Sequence, residues 1–333
     1  MMLNYISKKL FNNKFLLQEE YYKKLKFLIL KLFPIFIIIN LLIILAIISP
    51  EFLSFTNFIN IIRQTSLLFV LSAGMSLVIL TGGIDLSMGS VLGLAGCIGA
   101  TLIKSYGNLI GIMGAMMIGL LFGAINGSII FYLKLPSFLV TYGTLQIVRG
   151  LAIAYMGGNV IWGFNQKFRF LGAGTFFTMP IPIITGLIIF LLFYLILYYT
   201  SFGRKVYIVG NNISAAIHSG INIGKTILSV YIIAGSIAAF CGLIYISRLN
   251  SAEAGLGAMF ELDAIAAAVV GGISIKGGSG GIFGTVVGAL IITLIKNVLN
   301  LLGISSLWQP FVIGISIVIA VLIDQLIPKK GGV

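Results

Sequence analysis

Long apolar runs, broken by short polar connections, repeat along almost the whole chain. Runs near spanning length lie at roughly 32–49, 59–80, 86–103, 109–132, 136–156, 183–200, 226–248, 261–272, 281–302 and 308–327. The runs are continuous and do not alternate every second residue. That selects helices over the strands of a closed barrel, the only other fold that pairs every backbone group inside lipid. The pattern therefore predicts an all-α polytopic membrane protein with about ten transmembrane helices. The eighth run, 261–272, is the shortest and passes directly into a glycine-rich stretch. The expected organisation is an N-terminal interfacial segment 1–31, a transmembrane domain 32–328 with a long polar loop at 201–225, and a tail 329–333.

Composition supports lipid as the solvent. Hydrophobic types make up 59% of the chain and charged types 9%, against roughly 25% charged in a soluble domain. The net charge of +13 would suggest nucleic acid in a soluble protein, but its distribution gives it another meaning. Ten spans put both termini on one side. Lys8, Lys9, Lys14, Lys23, Lys24, Lys26, Lys31, Lys134, Arg204, Lys205, Lys225, Lys276, Lys329 and Lys330 then fall on that side, and only Lys104, Lys167 and Arg169 on the other. The positive-inside rule makes both termini cytoplasmic and removes the case for nucleic-acid binding. No small-residue cleavage site follows the first run, so it reads as a retained span. Leu, Phe and Tyr mixed with Lys over Leu3–Lys31 suit an interfacial helix. Cys97 and Cys241 sit in separate apolar runs and read as small hydrophobes.

Glycines recur at every fourth residue in Gly119, Gly123, Gly127 and again in Gly280, Gly284, Gly288. Each set predicts a helix face that lets a second backbone approach. The outer connection 157–182 carries Trp162, Phe164, Phe168, Phe170, Phe176 and Phe177, expected either as an interfacial belt or as a docking surface. Polar side chains within spans are costly in lipid and turn to the bundle interior or a wet path. Tyr142, Gln146 and Arg149 share a face at i, i+4 and i+7; Asn60 and Gln64 are four apart; Asn297 and Asn300 are three apart. These groups are candidates for a translocation path for a neutral polyol, with interhelical hydrogen bonding as the alternative. Asp85, Glu261 and Asp263 are candidate helix-start acids, gate residues or partner contacts.

Motifs that look chemical do not carry through. Gly220–Thr226 reads G-x-x-x-G-K-T, one residue short of a phosphate-cradling loop, and no strand precedes it. Gly277-Gly278-Ser279-Gly280 resembles a serine-nucleophile pattern, but the one histidine, His218, lies in the 201–225 loop. One His and two separated Cys give no metal site. None of the eight acids falls at the centre of a span, which argues against ion coupling. The chain is thus expected to bind no cofactor and to have no catalytic site of its own.

Within the loop, Asn212 or Ser214 can cap a short helix and Gly220 can end it. Such a helix, flanked by Arg204, Lys205 and Lys225, offers a handle to a cytoplasmic partner. Four segments then carry a family resemblance: Leu80-Thr81-Gly82-Gly83-Ile84-Asp85-Leu86-Ser87-Met88-Gly89-Ser90; Gly210-Asn211-Asn212 through Ser219-Gly220-Ile221-Asn222; Glu261-Leu262-Asp263-Ala264-Ile265-Ala266-Ala267; and Gly271-Gly272-Ile273-Ser274 through Asn300-Leu301-Leu302-Gly303-Ile304-Ser305. In order and spacing the chain resembles the permease subunit of bacterial ABC-type ribose/monosaccharide importers over roughly residues 40–328. The resemblance implies a multi-pass protein of the bacterial inner membrane, acting as a homodimer or paired with a similar permease. It implies two cytoplasmic ATP-binding domains that hold the ATP and Mg, and an extracytoplasmic sugar-binding protein. It also implies that Asn211, Asn212, Ser214, Ala215, Ala216, His218 and Gly220 form the helix that couples to the ATPase. His218 and Asn212 depart from the charged residues usual there. A stand-alone ion-coupled secondary transporter, from the ten spans, and an intramembrane hydrolase, from Ser279, are the competing readings.

Overall fold

Ser54 opens the bundle by accepting a hydrogen bond on its Oγ from the Asn57 N–H (3.2 Å), which satisfies one of the donors left free at a helix start. The computed structural model describes residues 50–326; the segment 1–31, the predicted span 32–49 and the tail 329–333 lie outside the described residues. A 3₁₀ turn at Pro50–Leu53 precedes α1 (Phe55–Leu80), followed by α2 (Met88–Tyr106), α3 (Asn108–Tyr132) and α4 (Ser137–Met156). Next come β1 (Ile161–Trp162), α5 (Gln166–Ala173), β2 (Thr175–Phe176), β3 (Met179–Pro180), α6 (Ile181–Tyr199), α7 (Ser201–Asn211) and α8 (Ile213–His218). The chain continues through α9 (Ile223–Leu249), β4 (Ser251–Ala252), α10 (Phe260–Val270), α11 (Ile282–Leu301), a 3₁₀ turn at Ser306–Trp308 and α12 (Gln309–Leu326).

Among the described residues, seven helices are long and apolar enough to cross a membrane: α1, α2, α3, α4, α6, α9 and α11. They match seven of the predicted runs. The eighth run is short, as its sequence indicates. α10 has 11 residues, about 16 Å of helix, roughly half of a ~30 Å hydrocarbon core. It stops because Gly271 and Gly272 follow, the latter with φ +91°, and the chain then turns repeatedly through Gly277, Gly278 and Gly280. α12 has 18 residues, the lower edge of spanning length. The long loop differs from expectation. Residues 201–211 are a helix, capped by Thr200 Oγ1 accepting from the Gly203 N–H (3.1 Å), and it buries Gly203, Val206 and Val209 at helical spacing.

Close backbone approach holds the bundle together. A Cβ at Gly119 or Gly123 would strike the carbonyl oxygens of Gly235 or Tyr231, and one at Gly127 would lie 2.9 Å from Leu228 Cα. The first glycine set therefore seats α3 against α9. Gly284 and Gly288 likewise press on the carbonyls of Gly271 and Ala267, joining α11 to α10. Gly280 falls outside that helix, in the turn before it. The centre is filled by α1, α2, α9 and α10, with Met75, Leu80, Leu92, Tyr231 and Leu243 fully buried.

The two ends of the bundle differ. One, the basic end, gathers the last turn of α1, α7 with Arg204 and Lys205, α8, the start of α9 with Lys225, and the turn after α10. At the far end, residues 157–182 form a folded cap. β1 pairs antiparallel with β4, Ile161 opposite Ala252, and Lys104 Nζ donates to the Gly163 carbonyl (2.7 Å). The Gly172 N–H donates to Ser247 Oγ (2.8 Å), whose hydroxyl donates to the Phe168 carbonyl (2.8 Å). Of the six aromatics read as an interfacial belt or docking surface, Phe164 and Phe168 are core and pack edge to face at 5.3 Å. Trp162, Phe170, Phe176 and Phe177 are exposed.

Candidate functional site

The handle is built locally. Asn212 caps α8 by accepting on Oδ1 from the Ala215 N–H (3.0 Å), and Gly220 takes φ +70° just past its end, a position where glycine avoids a Cβ clash. Asn211, Asn212, Ser214, Ala215, His218 and Gly220 are exposed, while Ala216 is buried. Two residues not singled out from the sequence matter most. Ile213 and Ile217, 58% and 60% exposed, lie four apart on one helix face. An apolar pair displayed at a polar end of a membrane protein fits an interaction surface. The signal was present, an i, i+4 isoleucine pair inside a polar loop.

Directly before the handle, three segments meet by main chain. A Cβ at Gly210 would run into the Leu80 carbonyl oxygen and lie 2.7 Å from the Gly278 nitrogen. The Gly278 N–H donates to that same Leu80 oxygen (2.9 Å). A Cβ at Gly277 would sit 2.8 Å from the Gly82 nitrogen and 2.9 Å from the Gly210 oxygen. The Tyr207 hydroxyl adds a hydrogen bond to the Gly280 carbonyl (2.9 Å). The end of α7, the end of α1 and the turn after α10 therefore form one junction, and α8 follows it after the single residue Asn212.

From this junction the 81–87 loop reaches α4. The Ile84 N–H donates to Ser137 Oγ and the Leu86 N–H to Thr141 Oγ1, both at 3.1 Å. Asp85 is 1% exposed, so its carboxylate offers nothing to an outside partner. Its Oδ1 accepts from the Ser87 N–H (2.9 Å) and hydroxyl (2.6 Å). Asn126 Nδ2 donates to Ser87 Oγ (2.9 Å), and Thr144 Oγ1 donates to Asn126 Oδ1 (2.6 Å). A buried polar chain thus ties the loop to α3 and α4. Burial pushes the Asp85 carboxyl up from 3.8 to about 6, against the pull of the two Ser87 hydrogen bonds. The folded protein then holds this proton more tightly than the unfolded chain, so stability falls as pH rises from about 4 to 6. The loss totals roughly 3 kcal/mol at most. Asp85→Asn is expected to abolish that fall. Thermal unfolding in detergent at pH 4 and pH 7.5 checks it: the variant should gain on the wild type only at the higher pH.

On α4 itself, Tyr142 and Gln146 are exposed and joined by a hydrogen bond from Gln146 Nε2 to the Tyr142 hydroxyl (3.1 Å). A Cβ at Gly143 or Gly150 would meet nothing within 4 Å. Arg149, predicted to share this face, turns away. Its Nη1 donates to the carbonyls of Ala254 and Leu256, both at 2.8 Å, fastening the far-end connection to α4. Asn297 exchanges hydrogen bonds with Asn57 (2.9 and 3.3 Å), a partner the sequence did not indicate, and Asn300 accepts from Gln309 Nε2 (3.0 Å). Asn60 and Gln64 are half-buried. Glu261 and Asp263 are buried, turned into the bundle and away from any outside partner. The Glu261 carboxylate lies against Gly89, and Asp263 is ion-paired with Lys296. The phosphate-loop-like stretch is the start of α9, where Asn222 Oδ1 already accepts from the Lys225 N–H (2.9 Å) and Gly224 presses on the Phe131 ring.

A family described as branched-chain amino acid transport system / permease component matches residues 57–321. The chain belongs to this permease family. It is 42% identical over 298 residues to the ribose import permease protein RbsC of Bacillus subtilis (strain 168), covering 89% of this chain and 92% of that protein. It is 39% identical over 296 residues to RbsC of Escherichia coli (strain K12), covering 86% and 92%. With the D-allose transport system permease protein AlsC of the same strain it shares 37% over 297 residues, covering 88% and 91%. No solved structure gives a significant match. The permease is a multi-pass membrane protein, and Gly210, Gly277 and Gly278, which carried part of the resemblance, are the residues of its three-way junction.

Proposed function

We propose that this permease is the membrane subunit of an ATP-driven importer for a monosaccharide in the bacterial inner membrane. The observation that carries the reading is the exposed helix α8, displayed at the basic end directly after Gly210 of α7, which meets the end of α1 and the turn after α10 by main chain. A protein that moves solute by its own ion gradient needs no such handle. A separate cytoplasmic ATPase, holding ATP and Mg, does. Push on α8 passes through Gly210 to Leu80 and Gly278, and through the 81–87 loop to Ser137 and Thr141 at the start of α4. The lysine and arginine bias makes the basic end cytoplasmic, with both termini on that side.

The path lies along α4. Tyr142 and Gln146 facing bare lipid would be costly, so their face turns to a second copy or a similar permease across a shared wet path. Sugar arrives at the far end from an extracytoplasmic binding protein and enters between the two copies. The names of the relatives, which include ribose, galactose and allose permeases, favour a pentose or hexose as cargo.

Co-reconstitution with the ATPase and binding-protein subunits in proteoliposomes tests this. Sugar uptake is expected only with all components and ATP. Uptake by the permease alone, driven by an ion gradient, would establish the secondary-transporter reading instead.

A further inference from the structure

Away from the α4 face, six hydrogen-bonding side chains from four helices converge on one cavity. Gln64 of α1, Tyr245 and Arg248 of α9, Asp263 of α10, and Thr293 and Lys296 of α11 surround about 180 Å³. The cavity lies in the far-end half of the bundle. Arg248 is in the last turn of α9 and Asp263 in the first turn of α10. Lys296 Nζ donates to Asp263 Oδ2. Among the described residues, the side chains of Gln64, Arg248 and Thr293 have no hydrogen-bond partner, and the charged neighbour of Arg248 is another cation, Arg63.

The chemistry of the lining selects a ligand class. A carboxylate accepts, a guanidinium and an ammonium donate, and an amide and two hydroxyls do both. An anion only accepts, so it could pair with Arg248 but would set its charge against the Asp263 carboxylate in the same small space, and an apolar guest would leave Arg248 unpaired at membrane depth. A neutral polyol, each hydroxyl of which donates and accepts, satisfies the whole set. Tyr245 and Phe260, whose rings lie 4.9 Å apart, add apolar faces for the carbon side of a ring. The volume equals about six waters at ~30 Å³ each and lies below the ~300 Å³ where clefts for drug-sized ligands begin. It suits one sugar ring and excludes a disaccharide. A second chamber of about 240 Å³ lies across Phe260, Asp263 and Lys296, bordered on its other side by α12.

We propose that each copy of the permease holds a monosaccharide in this cavity, on Gln64, Arg248, Thr293 and the Asp263–Lys296 pair, at a site distinct from the shared path along α4. This rests on the sugar-permease reading above. Removing Asp263 or Lys296 alone would strand a buried charge, so the test uses Gln64→Leu and the near-isosteric Thr293→Val. Binding of tritiated D-ribose, D-galactose and D-allose is measured on the permease in nanodiscs, and ATP-driven uptake of the same sugars on the complete importer. At least one sugar is expected to bind the wild type saturably, each variant weakening it about three- to tenfold. Wild-type affinity in both variants would overturn the cavity while leaving the importer reading intact. No uptake of any monosaccharide by the intact importer would overturn both. If no sugar binds and mass spectrometry instead finds phosphatidylglycerol retained by the wild type and lost in Arg248→Gln, the cavity is a lipid site and the proposal fails.

Discussion

Gly210→Val is expected to abolish uptake and to lower the unfolding temperature. The valine Cβ would occupy the place of the Leu80 carbonyl oxygen and crowd the Gly278 nitrogen. The nearest atoms of both neighbours are main chain, so no side chain can rotate out of the way. Overpacking a fixed site costs about 1–3 kcal/mol and more where backbone must shift. Here the Gly278-to-Leu80 hydrogen bond would go too, adding about 1 kcal/mol. Gly220→Ala provides the contrast. That glycine has φ +70° and nothing within 4 Å of a Cβ, so only its left-handed backbone is strained, at roughly 1–2 kcal/mol. The checks are melting in detergent and uptake in proteoliposomes. Equal, mild effects in the two variants would mean that the junction does not transmit force.

Ala215→Glu and Ile217→Glu are expected to leave the permease folded and inserted but to cut uptake more than thirtyfold. Both positions are exposed on α8, and a charge forced into the centre of a protein contact typically costs 2 kcal/mol or more. Ala216→Glu should behave differently. Ala216 is fully buried, so that charge would disrupt the α7–α8 turn itself, and protein yield should fall together with uptake. Co-purification with the ATPase subunit separates the cases: α8 surface variants should lose the ATPase while keeping a normal melting profile. Retained ATPase binding and normal uptake in both surface variants would contradict the handle.

Much of this organisation was legible in the sequence because lipid imposes a simple code. Seven spans follow from apolar length alone, since an unpaired backbone cannot sit in hydrocarbon. Asn212 and Gly220 announce the handle because caps are local chemistry. The spacing of Gly119, Gly123 and Gly127 announced a close helix contact, though not that its partner would be α9. The misreadings have equally physical causes. Tyr142, Gln146 and Arg149 share a face by spacing, but an arginine is long enough to swing to the Ala254 and Leu256 carbonyls. Glu261 and Asp263 do sit in the first turn of α10, as read, and Asp85 lies just before α2; a contact with an outside partner was the part left open. Sequence position cannot tell which way a carboxylate turns, and all three turn inward.

What the chain determined by itself is therefore its solvent, its helical period, its caps and its charge asymmetry, all set by neighbours within a few residues. The tertiary structure alone decided that Leu80, Gly210 and Gly278 meet, and that Gln64, Arg248, Asp263 and Lys296 surround one cavity. Those facts depend on contacts between residues as much as about 230 positions apart, for which no local propensity exists; they follow only when whole helix faces are packed against one another to bury polar groups away from lipid.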